Sequence, residues 1–82
     1  MWDGSGGVIR LPKTHSKFRV VRELAEARVR HEVSRIDLGE ASGYHHMMIG
    51  RYERGETTPS LKTLCDLAEA LGYDVVLTPK QT

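Results

Sequence analysis

Arg51-Tyr52-Glu53-Arg54-Gly55-Glu56-Thr57-Thr58-Pro59-Ser60-Leu61 is the stretch around which this 82-residue chain is organised. It reads as the end of one helix, a glycine stop, a short polar turn and the start of another helix. Gly55 can take the left-handed conformation that closes a helix without a Cβ clash. Thr58 is the expected cap of the next helix, with Pro59 at its first position, where a missing N–H costs nothing. The apolar stripe that follows, Leu61, Leu64, Leu67, Ala68 and Leu71, is the strongest in the chain and implies a helix over Pro59–Leu71, ended by Gly72.

A second unit of the same kind lies upstream. Ser34 with Asp37 forms a capping-box pattern, Leu38 and Ala41 are expected to point inward, and Gly43 permits a turn. Helices over about Arg35–Ser42 and His46–Arg54, joined at Gly43, make a helix-turn-helix, with Ile49 and Tyr52 as the inward residues of the second. Before it, Ser16 is the expected cap of a helix reaching about His31, with Val20, Val21, Leu24 and Ala27 on one face and Arg22, Glu23, Glu26 and Arg30 outside. The fold class is therefore mainly α: four helices plus a short C-terminal strand. Met1 to about residue 15 is expected to be a flexible arm with room for a brief edge strand at Val8–Leu11, ended by Pro12, residues 16–72 the helical domain, and 73–82 a strand and tail.

That strand is Tyr73–Thr78, β-prone and stopped by Pro79. Tyr73, Val75 and Leu77 share one face, and Val76 and Thr78 the other. A lone strand leaves backbone groups unpaired. Its mate is either Val8–Leu11 of the same chain or the strand of a second copy. The dimer is the favoured reading because so small a domain has a thin core. Tyr73, Val75, Val76 and Leu77 are then the dimerisation residues.

Composition narrows the function. The net charge of +1 is nearly neutral, but its distribution is not. Met1–Arg35 holds eight Arg or Lys against four Asp or Glu, and Ile36–Thr82 holds four against seven. A polarised small domain can turn a basic face to phosphate. The single Cys65 excludes an internal disulfide and fits a reducing compartment. No secretory or membrane-spanning pattern is present, so a cytoplasmic location is expected. His45-His46 and the distant Cys65 lack zinc-site spacing, and no glycine-rich phosphate loop follows a strand. Neither enzyme chemistry, nor a metal, nor a cofactor is expected.

From Val21 to Leu71 the chain resembles the Cro/phage-repressor type of helix-turn-helix regulator. The resemblance rests on Arg22–Arg28, Val33-Ser34, Leu38–Tyr44, Ile49–Glu56, Pro59-Ser60-Leu61 and Leu64–Leu71. The strand that follows is similar to antitoxin-type members, in which a terminal strand joins subunits. Four positions depart from the pattern. Arg35 stands for the usual Gln, Gly39 for an inward Ala, Ser42 for a Leu, and Glu32 for the Gly that ends the first helix.

The resemblance implies a sequence-specific regulator of double-stranded DNA, a repressor dimer on an inverted repeat. The alternative is an antitoxin or protein-binding module whose main partner is another protein, such as a toxin. The base-reading positions are His46, Met47, Gly50 and Arg51, since the first turns of a recognition helix meet base edges in the major groove. Arg51 suits guanine because its planar fork can donate two bonds. Met47 is expected outward and Met48 nearer the core. The backbone-contacting positions are Arg28, Ser34, Arg35, Tyr44, His45, Arg54, Thr57 and Thr58, and Arg28 is also expected to pair with Glu53.

Overall fold

Four helices and two strands follow one another in the order β1 (Gly7–Pro12), α1 (Lys17–Arg30), α2 (Arg35–Ser42), α3 (His46–Glu53), α4 (Leu61–Ala70) and β2 (Tyr73–Thr78). The computed structural model describes residues 7–12 and 17–78. Ser16, Pro79 and most of the expected N-terminal arm lie outside the described residues.

The apolar face of α1 is buried as its spacing predicts, with Val20, Val21, Leu24 and Ala27 all in the core. The helix ends in a Schellman turn: the Glu32 N–H donates to the Val29 carbonyl at 2.9 Å and the Val33 N–H to that of Arg28 at 3.0 Å. Such a turn needs a left-handed residue, and Glu32 supplies it at φ 57°. A side chain is thus held where glycine would sit without strain.

The start and end of α2 agree with the sequence reading. Ser34 Oγ accepts the Asp37 N–H at 3.0 Å, and Gly43, at φ 85°, donates its N–H to the Gly39 carbonyl at 2.8 Å. Leu38 is buried, but Ala41 is exposed, and Gly39 takes the inward place instead. A Cβ built on Gly39 would stand 2.6 Å from the Tyr44 carbonyl oxygen and 3.3 Å from the His46 nitrogen. The turn crosses α2 where only a hydrogen fits.

After Gly55, at φ 78°, the chain departs from expectation. Ser60, not Thr58, caps α4, its Oγ accepting the Thr63 N–H at 3.1 Å. Pro59 therefore precedes the cap instead of opening the helix. With the helix beginning later, Leu61 is its first residue and is 61% exposed, so the buried stripe is Leu64, Leu67, Ala68 and Leu71. Together with Leu24, Ala27, Val33, Leu38, Ile49 and Tyr73 these make one core, with Tyr44, Tyr52 and Val75 packed against it.

β2 has a mate within the chain. It pairs in parallel with β1 of the same chain, in the register Gly7↔Tyr73 to Pro12↔Thr78. Of the two mates read from the sequence, the one within the chain, at Val8–Leu11, is in place. A helical body separates the two strands in sequence, which supplies the long crossover that a parallel pair needs. Tyr73 is buried and Val75 partly so, each against the chain's own core, while Val76 is 40% exposed. The Tyr73 hydroxyl lies 3.2 Å from Arg30 Nη1 and 2.9 Å from His31 Nε2, which fastens the end of α1 to β2.

Candidate nucleic-acid interface

The outer surface of α3 is built from both of its ends. At the start, His45 is the N-cap: its Nδ1 accepts the Met47 N–H at 3.2 Å, which requires that nitrogen to carry no proton. The His46 ring stacks on it at 4.5 Å between centroids. Met47 is 66% exposed and Met48 half-buried, as alternation about the helix requires. At the far end, Gly55 and Glu56 close the helix, donating their N–H groups to the Tyr52 and Arg51 carbonyls at 3.0 and 2.9 Å.

Between them, Arg35, His46, Met47, Gly50, Arg51, Arg54 and Glu56 line one groove. Gly50 is buried because arginines lie across it. A Cβ there would meet Arg54 Nη1 at 3.0 Å and Arg35 Cδ at 3.6 Å. Three of the four expected base-reading residues are thus exposed, and Gly50 serves as the seat on which two cations rest.

Beneath the groove lies the main electrostatic brace. Arg28 grips Glu53 with two parallel bonds, Nε to Oε2 at 2.7 Å and Nη2 to Oε1 at 3.0 Å, and its Nη1 donates to the Val33 carbonyl at 2.8 Å. Both side chains are nearly buried, at 11% and 10% exposure. Arg35 Nε joins the same carboxylate at 2.9 Å. Glu53 therefore ties α3 to α1 and α2 at once. The expected Arg28–Glu53 pair is present, and Arg35 adds a second charged brace between α2 and α3. Arg28 is turned inward and fully engaged, so its geometry is that of a brace and not of a phosphate contact. Tyr44 is likewise committed: its hydroxyl donates to Asp66 Oδ2 at 2.7 Å, and Lys62 Nζ reaches the same oxygen at 2.8 Å. These bonds, Lys62's first, hold the Asp66 carboxyl below its ordinary range.

Of the other expected backbone-contacting residues, Arg35 and Arg54 are exposed and line the groove, Ser34, His45 and Thr58 are exposed, and Thr57 is half-buried. Two features were not read from the sequence. His45 caps α3, for which a polar ring just before the helix was the available signal. Glu56 engages Arg51 of α3 and Arg54, the residue that caps its C-terminus: Arg54 Nε donates to its Oε2, and Arg51 Nε lies 3.7 Å from Oε1. The hydrogen bond from Arg54 keeps the Glu56 carboxyl below, and the guanidinium above, its ordinary range. Among the described residues no group of three or more His, Cys, Asp or Glu could hold a metal ion, and no helix is long and apolar enough to cross a membrane.

The helix-turn-helix family model matches residues 24–77, which covers α2, α3 and α4 entirely. The chain belongs to the helix-turn-helix family of transcriptional regulators. This regulator is similar to the uncharacterized HTH-type transcriptional regulator y4dL of Sinorhizobium fredii, with 36% identity over 62 residues, 76% of this chain and 32% of the relative. It is also similar to an uncharacterized HTH-type transcriptional regulator of Haemophilus influenzae, with 31% identity over 67 residues, 82% of this chain and 68% of the relative. The chain spans about a third of the length of the Sinorhizobium protein. No solved structure matches it. Homology to such regulators supports a DNA-binding regulatory role for this helix-turn-helix unit.

Proposed function

We propose that the chain represses transcription by binding an inverted repeat as a dimer, with α3 of each copy in the major groove. The observation that carries this reading is the exposed row His46, Met47 and Arg51 on a helix braced from behind by the buried Arg28–Glu53 pair. A rigid helix presenting a guanidinium fork, an imidazole and an apolar side chain suits guanine, a purine acceptor and a thymine methyl. Ser34, Arg35, Arg54 and Thr58 flank that row as phosphate contacts, supported by the free N–H groups of the α2 N-terminus. Thr57 and His45 complete the set. The dimer uses the other side of β2, which has β1 as its one sheet neighbour among the described residues. Antiparallel pairing of two β2 edges would set the recognition helices about 34 Å apart, one turn of DNA. A cytoplasmic site of action accords with this role.

A second reading, a toxin or other protein held on α4 and β2, draws on the exposed Leu61 and Val76. Selection from a random duplex pool, followed by titration of the selected and a scrambled duplex, tests the first reading. Arg51→Ala should weaken the selected site by about 1–3 kcal/mol and leave the scrambled one nearly unchanged. Arg54→Ala should weaken both and lower the salt slope by about 1. A failure to enrich any sequence, with a partner protein bound instead, favours the second reading.

A further inference from the structure

Glu56 stands among the cations of the recognition groove, and the duplex-reading role proposed above gives it no task. It is exposed, it follows the glycine after α3, and its two carboxylate oxygens each face a different arginine, Arg51 in that helix and Arg54 at its C-cap. Its backbone N–H is fixed by the Arg51 carbonyl, so the carboxylate springs from an anchored position and not from a loose loop. Arg35 is held by Glu53 in turn. In the DNA-free chain each of the three groove arginines therefore already has a carboxylate partner.

We propose that Glu56 is an internal competitor with DNA for Arg51 and Arg54: it holds both guanidinium groups in the free protein, and duplex binding must exchange it for phosphate and base. The proposal rests on the duplex-reading role. A carboxylate next to the phosphate backbone is repelled by it, and each arginine that leaves Glu56 gives up a charge-assisted contact before gaining another. The ion pair is exposed, so the exchange is feasible in water and salt weakens both sides of it. Glu56 thus lowers the affinity of one recognition helix for any duplex.

The test uses the full chain and a short labelled mixed-sequence duplex, titrated by fluorescence anisotropy over a series of salt concentrations. Glu56→Gln keeps the side-chain shape and the backbone bond but removes the charge. It should tighten binding about 5–10-fold near 0.1 M salt and steepen the salt slope by at most about 1, because one negative charge no longer sits beside the phosphates. Glu69→Gln on α4 makes the same change in net charge outside the groove and should shift affinity less than about 2-fold. In an Arg54→Gln background the gain from Glu56→Gln should shrink, since one of its two cations is already gone. If Glu56→Gln matches Glu69→Gln, or weakens binding, the competitor role is overturned while duplex binding stands. If neither the unaltered chain nor any variant binds duplex at low salt, the duplex-reading role falls and this inference with it.

Discussion

Replacing Glu32 with glycine should stabilise the protein, although it removes a side chain from a small fold. Glu32 occupies the left-handed position of the Schellman turn that ends α1 and leads the chain to Val33 in the core. A residue with a Cβ is held there at a cost of roughly 1–2 kcal/mol. Glycine removes that cost but adds freedom to the unfolded chain, worth about 0.4–1 kcal/mol in the opposite direction. The difference is a net gain of about 0.5–1 kcal/mol. In a chain of this size that raises Tm by roughly 3–6 °C. Thermal and urea melts followed by circular dichroism read both quantities. Glu32→Ala is the control: it removes the same charge but keeps a Cβ at positive φ, so it should gain nothing. If glycine and alanine give equal shifts, charge and not backbone strain is responsible. A lower Tm for glycine would refute the strain argument.

Other outcomes follow from the contacts at the interface. Gly39→Ala gains about 1 kcal/mol of helix propensity but drives a methyl into the Tyr44 carbonyl, so urea melts should show a net loss of about 1–2 kcal/mol; a more stable variant would mean that the turn yields easily. Removing one partner of the nearly buried Arg28–Glu53 pair should cost about 3–5 kcal/mol, and a double-mutant cycle should return a coupling of about 1–3 kcal/mol; a coupling near zero would separate α1 from α3. Asp66 has a depressed folded-state pKa, so its stabilising contribution is complete above the ordinary carboxylate range of about 4 and is lost as pH falls through its lower folded value. Stability measured from about pH 6 down to about pH 2 should therefore decline less steeply in Asp66→Asn.

Much of this fold was legible because the signals were local. Ser34 and Gly43 bound α2 through a hydroxyl and a left-handed turn that few other residues supply, and the α1 stripe needed only its own spacing. The run Thr57-Thr58-Pro59-Ser60 was ambiguous for the same reason: it offers three hydroxyls near one helix start, and local chemistry does not rank them. The strand Tyr73–Thr78 was readable as a strand, but alternation carries no information on its mate or direction. At the interface, the Arg28–Glu53 pair came from resemblance and is present. That Arg28 is thereby spent on the fold depends on burial, which spacing alone does not give. Glu56 escaped notice because its partners lie two and five positions back, outside the helical spacing that usually flags an ion pair.

The parallel pairing of β1 with β2 also sets the order in which the molecule assembles. Gly7 meets Tyr73 and Pro12 meets Thr78, so every pair in that sheet joins the first described element to the last. Contacts within and between neighbouring helices close short loops, whereas this one closes nearly the whole chain, and a longer loop forms later. On a ribosome, β2 emerges after every helix has been made, and the sheet cannot exist until it does. The helices that carry the recognition groove are therefore the early part of the folding reaction, and the sheet is the latch that shuts last. Pulling on the two ends would load that latch first and leave the helical body standing until it gives.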